Sequence, residues 1–183
     1  MSRLAVFFAE GYEEIEALAV VDVCRRCGIQ VDMVSVYGEK NVKGSHDIVV
    51  EMDKTFDQTD FSEYDMLVLP GGKLGTENLE AHHGLMEQID AFYRDGKYIA
   101  AICAAPSIFG HKGILKGRKA CSYPTFESHL EGAHVTEGPV EISDHVITSR
   151  GMGTAIDFGL AIAGVLCGEA KAGEMAKTIV YRS

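Results

Sequence analysis

Short runs of apolar and β-branched residues alternate along this chain with longer amphipathic runs, and this alternation restricts the fold more than any other feature. A strand of a parallel sheet is buried on both faces and reads as a short apolar run, whereas a connecting helix has one apolar face. The runs that predict strands are Leu4 to Phe8, Val31 to Val36, Met66 to Leu69, Tyr98 to Ile102 and Val146 to Thr148. The pattern predicts one α/β domain over residues 1–183, with a flavodoxin-like, doubly wound, mostly parallel sheet and helices on both faces.

Four amphipathic runs between and after these strands predict helices. The first has acidic residues in its first turn, Arg25 and Arg26 in its last turn, and Gly28 directly after it, which are helix start and stop signals. The four predicted helices are Glu13 to Cys27, Gly84 to Asp95, Thr154 to Leu166 and about Ala170 to Ile179. The segment from Ile48 to Val50 predicts a small antiparallel excursion from the main sheet.

The charge, hydropathy and cysteine content exclude several classes of function. With 17 basic and 27 acidic residues the formal net charge is -10, so specific binding to nucleic acid is not expected. No apolar run approaches the roughly 20 residues that span a bilayer, and the first run is too short for a signal-peptide core. We therefore expect a cytoplasmic protein with no membrane association. Five scattered cysteines predict free thiols and not a disulfide framework.

Two of the predicted strands end in unusual sequences. One runs into Pro70-Gly71-Gly72, where glycine leaves backbone N–H groups accessible. The other runs into Cys103, which has small neighbours and is followed by Pro106 at an early helical position. This pattern predicts a nucleophile elbow with Cys103 as the reactive centre. Because a helix N-terminus stabilises a thiolate, we expect a lowered thiol pKa and an oxyanion pocket that includes the Gly72 N–H group.

A carboxyl group is expected at the same edge of the sheet. Glu13, Glu14 and Glu16 crowd the start of the first helix, which directly follows the first strand. Two of them can simply complement the helix dipole. If Glu16 points at Cys103, it must carry a proton for the thiolate to gain a hydrogen bond, because two adjacent anions would repel each other.

Five segments together resemble the ThiJ/PfpI superfamily, and specifically the branch of the human parkinsonism-associated protein deglycase and its bacterial relatives. They lie in the same order and spacing over essentially the whole chain. The segments are Glu10 to Glu16, Val21 to Ile29, Leu69 to Gly72, Ala100 to Ala104 and Thr148 to Thr154.

The resemblance implies a homodimer and assigns roles to individual residues. Cys103 matches the oxidisable nucleophile, Glu16 matches the carboxylic acid bonded to it, and Gly72 with Ala104 match the backbone donors. Family members are described as cofactor-free glyoxalases that convert methylglyoxal to lactate, as deglycases of early glycation adducts, as redox-responsive chaperones and, in other branches, as proteases. The implied partner is therefore a small reactive carbonyl or glycated substrate, with no cofactor and no metal. The residues expected to line its pocket are Gly71, Tyr123, Arg150 and Met152.

Three positions depart from the family pattern. Tyr123 replaces a histidine that would complete a Cys-His pair, and tyrosine is a poor base at neutral pH. Ala104 stands where the protease branch has histidine, so peptidase activity is disfavoured. Met152 replaces a proline and can alter a pocket wall. The sequence leaves three functions open: a glyoxalase or deglycase, a non-catalytic redox sensor or chaperone, and a hydrolase of some small ester or amide.

Two further signals are weak. Cys24 and Cys27 form a C-x-x-C pair, but at a helix end and without a second pair, so we interpret them as ordinary thiols. The seven histidines show no metal-ligand spacing, and His82 with His83 is expected to precede a helix as a cap.

Overall fold

The computed structural model describes residues 2–182 and has a seven-stranded sheet at its centre. The strands are β1 (Arg3–Phe8), β2 (Gln30–Ser35), β3 (Asn41–Lys43), β4 (Val49–Glu51), β5 (Lys54–Thr55), β6 (Met66–Leu69), β7 (Tyr98–Ile102), β8 (Lys119–Ala120), β9 (His134–Val135), β10 (Val140–Ser143) and β11 (Val146–Ser149). The helices are α1 (Glu14–Arg26), α2 (Lys73–Glu80), α3 (His83–Arg94), α4 (Pro106–His111), α5 (Ala155–Cys167) and α6 (Glu169–Thr178). Short 3-10 helices cover Phe56–Gln58, Phe61–Glu63, Pro124–His129 and Met152–Thr154.

The strand order of the central sheet is β10-β11-β7-β6-β1-β2-β5. All neighbouring strands are parallel except β10 and β11, which form an antiparallel edge. The prediction of a mostly parallel α/β sheet is confirmed, since the five predicted strands are β1, β2, β6, β7 and β11. The carboxyl ends of four adjacent strands, β1, β6, β7 and β11, therefore meet at one edge, where an open α/β sheet places its ligand site.

Alternating side chains of β1, next to the middle strand of the sheet, divide the core into two layers. Leu4, Val6 and Phe8 of β1 pack with α1, α5 and α6, while Ala5 and Phe7 pack with α2, α3 and α4. Both sets are fully buried. The apolar runs were therefore continuous because each strand is covered by helices on both of its faces.

Local patterns did not predict the shortest elements. The expected antiparallel excursion is the β3–β4 hairpin, but its second strand is Val49–Glu51 and does not include Ile48. Helix α2, the edge strand β10 and the two-residue strands were not predicted, whereas α4 begins at Pro106, as the strand-to-helix junction after Cys103 required. Helix α2 contains Gly75, which disfavours a helix, yet a Cβ atom there would lie 2.7 Å from the Tyr12 backbone, so close packing requires glycine.

Candidate active site

Cys103 lies at the turn between strand β7 and helix α4. Its backbone φ is +65°, a left-handed conformation that costs energy for a residue with a side chain, and its amide N–H donates to the Ser149 carbonyl at 3.0 Å. Pro106 is the first residue of α4, and the flanking Ile102 and Ala104 are buried. Tight backbone geometry with small neighbours turns the Cys103 side chain away from the strand, as in a nucleophile elbow.

Glu16 reaches this cysteine from the first turn of α1. Its side chain is 1% exposed, hydrogen-bonds with Cys103, and accepts a 3.0 Å hydrogen bond from the Gly71 amide at Oε2. A Cβ atom on Gly71 would lie 2.5 Å from both Cys103 Cβ and Glu16 Oε2. Glycine at position 71 therefore lets the carboxyl group, the thiol and the backbone come together.

The environment of Glu16 favours its neutral form. Burial raises the pKa of Glu16 to about 7, and the nearby Glu13 carboxylate acts in the same direction. Hydrogen bonds with Cys103 and the Gly71 amide oppose this effect without cancelling it. The carboxyl group therefore takes up and releases a proton near neutral pH, the range in which general acid-base catalysis is most effective.

The expectation that the helix end lowers the pKa of Cys103 was wrong. Burial raises the pKa of Cys103 to about 12, with a further contribution from the Glu16 carboxylate. Backbone hydrogen bonds from Gly72 and Ala104 lower the pKa, but they are outweighed. Because the Glu16 carboxylate opposes a second negative charge beside it, a Cys103 thiolate is favoured only while Glu16 carries a proton.

Two backbone N–H groups converge on the Cys103 sulfur, one from Gly72 and one from Ala104. Gly72 has a φ of +87°, and a Cβ atom on it would lie 2.3 Å from the Gly11 carbonyl oxygen. A side chain at position 72 is thus excluded by both conformation and space. Donors arranged in this way can stabilise an oxyanion that forms when the sulfur adds to a carbonyl group.

The other expected pocket residues form an adjoining wall. Tyr123, Arg150 and Met152 line a shallow depression of about 320 Å³. The Tyr123 amide donates to the Cys103 carbonyl at 2.8 Å, and its side chain is 48% exposed. Arg150 is directed to Glu127, with 3.7 Å between Nη2 and Oε1. Gly151 joins the wall to the cysteine site, because a Cβ atom on it would lie 3.8 Å from Glu16 Oε1.

A cluster on the other side of the first turn of α1 was missed by sequence reasoning. Donor atoms of Glu13, Glu14 and His46 lie within 4.8 Å of one another, an arrangement that could hold a metal ion. Glu14 Oε2 lies 3.0 Å from His46 Nδ1, and Ser45 Oγ donates to both carboxylates at 3.0 and 3.1 Å. The expectation that no histidine joins a ligand-like group rested on local spacing, which carries no signal for residues over 30 positions apart.

The structure shows where the two remaining sequence features lie, the pair His82 and His83 and the pair Cys24 and Cys27. His82 precedes α3 and caps it by accepting a 3.0 Å hydrogen bond from the Leu85 amide, whereas His83 is the first residue of the helix and not part of the loop before it. Cys24 and Cys27 lie buried at the end of α1. Across residues 2–182, no helix is both long enough and apolar enough to cross a membrane.

Comparison with known proteins decides the family. The model of the DJ-1/PfpI family matches residues 2–164. The chain belongs to the DJ-1/PfpI family. Protein dj-1beta of Drosophila melanogaster is 37% identical over 184 residues, covering 98% of both chains. A glutathione-independent glyoxalase DJ-1 of Schizosaccharomyces pombe is 31% identical, covering 88% of this chain and 90% of the relative.

Solved structures of this family have the same fold. Oxidised DJ-1 of Toxoplasma gondii superposes with a TM-score of 0.95, at 33% identity and with 100% of both chains covered. The chain spans less than half the length of DJ-1 homologues B and A of Arabidopsis thaliana, 42% and 45%, at 37% and 36% identity. The two alignments include 98% and 95% of this chain.

Proposed function

We propose that this protein is a cofactor-free glyoxalase or deglycase that acts on methylglyoxal or early glycation adducts. The observation that carries the proposal is the hydrogen-bonded pair of Cys103 and Glu16 beneath two backbone donors. A nucleophile, an acid-base group that titrates near neutral pH and an oxyanion pocket are what carbonyl addition followed by proton transfer requires. The resemblance to a fission-yeast relative named as a glyoxalase supports the same chemistry.

The proposed reaction balances without an external oxidant. The Cys103 thiolate adds to the aldehyde carbon of methylglyoxal, and the Gly72 and Ala104 N–H groups hold the resulting oxyanion. Glu16 first gives its proton to this oxyanion and becomes a carboxylate. It then takes the proton from that carbon and delivers it to the neighbouring carbonyl carbon, while the hydroxyl proton passes to the neighbouring oxygen, so the aldehyde carbon is oxidised and the ketone carbon is reduced. Water then hydrolyses the lactoyl thioester, releasing lactate and restoring the thiol.

Lactate formation from methylglyoxal, followed by NMR, tests this proposal. We expect Cys103→Ser to abolish turnover and Glu16→Gln to lower it by roughly 10²- to 10⁴-fold, since proton transfer is lost. Cys121→Ser is the matched control, because Cys121 is a buried thiol that hydrogen-bonds to the Thr148 carbonyl and not to Glu16. Wild-type turnover no faster than that of Cys103→Ser would refute the proposal.

A second assay separates the two activities. Methylglyoxal adducts of N-acetylcysteine release the aldehyde spontaneously, so loss of adduct must be compared with the measured release rate. Adduct removal faster than this release identifies a deglycase. Removal that only keeps pace with it identifies a glyoxalase acting on free methylglyoxal.

A redox sensor that uses Cys103 is the second candidate, and Tyr123 is the observation that favours it. Because a phenol stands where an imidazole would complete a Cys-His pair, the site can serve oxidation of the sulfur without efficient turnover. Under mild peroxide, mass spectrometry would then find sulfinate at Cys103 before any other thiol. Modification of Cys121 at an equal rate would rule out a dedicated sensor.

We also infer that the protein forms a homodimer through the face beside the site. Ile15, Ile48 and Val49 are 52%, 51% and 59% exposed, and they lie on α1 and on the hairpin that contacts it. Exposed apolar side chains of this kind are typical of an interaction surface. Sedimentation analysis should show a dimer that Val49→Asp dissociates. Val135→Asp, at a separate exposed valine, should leave the dimer intact.

A further inference from the structure

Three thiols come together at the end of the molecule opposite the elbow. Cys24 lies in the last turn of α1, Cys27 directly follows that helix, and Cys167 is the last residue of α5. Cys24 Sγ lies 3.8 Å from the Gly159 carbonyl oxygen of α5. Because α1 and α5 pack against each other, residues about 140 positions apart in the chain become neighbours.

The chain segments that carry Cys27 and Cys167 meet at one corner, because the Ser2 carbonyl accepts from the Gln30 amide at 3.0 Å and Ser2 Oγ donates to the Leu166 carbonyl at 2.9 Å. Cys167 Sγ donates to the Ala163 carbonyl at 3.0 Å, and the Cys167 sulfur acts to raise the pKa of both Cys27 and Cys24. Cys24 and Cys27 are 0% and 1% exposed, whereas Cys167 is only partly buried. The accessible thiol of the group therefore packs against the core cluster that contains the two buried thiols.

We propose that Cys27 and Cys167 are a second oxidation site, distinct from Cys103, at which peroxide closes an intrachain disulfide. Peroxide oxidises the accessible Cys167 thiolate to a sulfenic acid, and the peroxide is reduced to water. The Cys27 sulfur then attacks the Cys167 sulfur, forming the S–S bond and releasing a second water. Two thiols and one peroxide thus become one disulfide and two waters.

The surroundings of Cys27 make it the resolving thiol in preference to Cys24. Burial raises the pKa of both cysteines, and at Cys27 the Lys171 ammonium offsets part of this increase. This ammonium lies at the same corner, since a Cβ atom on Gly28 would be 3.5 Å from Lys171 Nζ. A cation beside the attacking sulfur stabilises the thiolate that attack requires. Cys24 instead faces the Gly159 carbonyl oxygen, which gives a thiolate no such support.

This site is physically separate from the Cys103 site. Glu16 is at the first turn of α1 and Cys27 is just beyond its last turn, which at about 1.5 Å per residue places them roughly 16 Å apart along the helix axis. Oxidation of one site therefore does not require a contact with the other. The inference does not depend on the proposed enzymatic activity.

Peptide mapping of Cys103→Ser protein after peroxide treatment tests the proposal. Trypsin cleaves after Arg25 and Arg26, so Cys24 and Cys27 fall in different peptides. We expect a non-reduced species joining residues 27–40 to residues 151–171, lighter than the two peptides by two hydrogens. Reduction with dithiothreitol should separate them. Non-reducing electrophoresis should show a monomeric chain, as required for an intrachain bond.

Matched variants in the Cys103→Ser background complete the experiment. Cys167→Ser and Cys27→Ala should abolish the crosslinked peptide, whereas Cys24→Ala and Cys121→Ser should retain it. Melting of each reduced variant shows whether it folds. In the parent, oxidation should raise Tm by several degrees, because the bond constrains a long loop in the unfolded chain. Linkage of Cys167 to Cys24, or sulfinate at Cys167 with Cys27 still free, would overturn the proposal.

Discussion

Glu14 and Glu16 occupy the same turn of α1, and both are almost completely buried, at 4% and 1% exposure. Each packs against a glycine: a Cβ atom on Gly44 would lie 2.3 Å from Glu14 Oε1, and one on Gly71 would lie 2.5 Å from Glu16 Oε2. Their pKa values nevertheless shift in opposite directions. Burial acts to raise both, but hydrogen bonds from His46 and Ser45 outweigh it and lower the pKa of Glu14. Burial therefore does not decide the charge of a carboxyl group by itself, because the neighbouring donors can reverse its effect.

Substitution of the two glycines is expected to produce the largest difference between the Glu16 side and the Glu14 side of α1. Gly71→Ala should lower methylglyoxal turnover by about 100-fold or more, because displacing Cys103 or Glu16 by even 1 Å disrupts the reacting geometry. Gly44→Ala meets an equally close contact on the other side of the helix and should mainly lower stability, by about 1–3 kcal/mol.

Gly38→Ala is the control for the glycine pair, since Gly38 is exposed and no atom lies within 4 Å of a Cβ at that position. Its turnover and urea unfolding should match those of the wild type. Equal turnover losses in Gly71→Ala and Gly44→Ala would show that the two sides of the helix are not functionally distinct.

The two carboxyl groups should affect stability at opposite ends of the pH range. The pKa of Glu16 is raised from 4.5 to about 7, so its stabilising effect is complete below about pH 4.5 and is lost as pH rises through 7. Relative to the wild type, Glu16→Gln should therefore gain up to about 3 kcal/mol of unfolding free energy between pH 5 and pH 9. Urea denaturation across this range measures the difference.

Glu14→Gln should behave in the opposite way. The lowered pKa of Glu14 means that its ionised form stabilises the fold above pH 4.5, and that this effect is lost as pH falls through the folded pKa. We expect a loss of about 1–2 kcal/mol at pH 7, typical of a hydrogen bond to a charged group.

Glu77→Gln, at an exposed residue of α2, serves as the control for both the Glu16→Gln and the Glu14→Gln experiments. A Glu16→Gln curve that runs parallel to that of the wild type would contradict the raised pKa.

The smallest expected effect is at His46. Its hydrogen bond with Glu14 raises the pKa of the exposed imidazole, so the stabilising effect is present below pH 6.5 and is lost as pH rises through the folded pKa. His46→Gln keeps the backbone N–H that donates to Glu14 at 2.7 Å. Its Tm should be lower than that of the wild type by no more than about 2 °C at pH 5.5, and equal at pH 9. A Tm difference between His46→Gln and the wild type that grows with pH would contradict a stabilising positive charge on His46.

Most of the architecture could be predicted from local patterns. The five strands buried by helices on both faces produced strong apolar runs, and Gly28 after the basic last turn of α1 indicated where that helix ends. The missed elements were short or atypical, such as α2 with its Gly75 and the two-residue strands. These form because tertiary contacts hold them, and such contacts leave little periodic signal.

The candidate site could be predicted only in part. Cys103 was conspicuous because a thiol between small residues followed the end of an apolar run. Its contact with Glu16 required β1 and β7 to end at the same edge, which the predicted parallel topology supplied. The proximity of Cys27 and Cys167 had no comparable signal, because it depends on how the ends of two distant helices pack.

The amino-acid sequence by itself determined the sheet, the elbow, the glycines and a group of carboxyl groups at the same edge as Cys103, while the choice of Glu16 among them came from the family resemblance. Tertiary structure decided where protons reside. It reversed the expected pKa shift of Cys103, separated the behaviour of Glu14 from that of Glu16, and brought His46 and Cys167 to partners far away in the chain. The physical reason is that periodicity and backbone conformation are local properties, whereas desolvation and charge interactions depend on every group that the fold brings within a few ångströms.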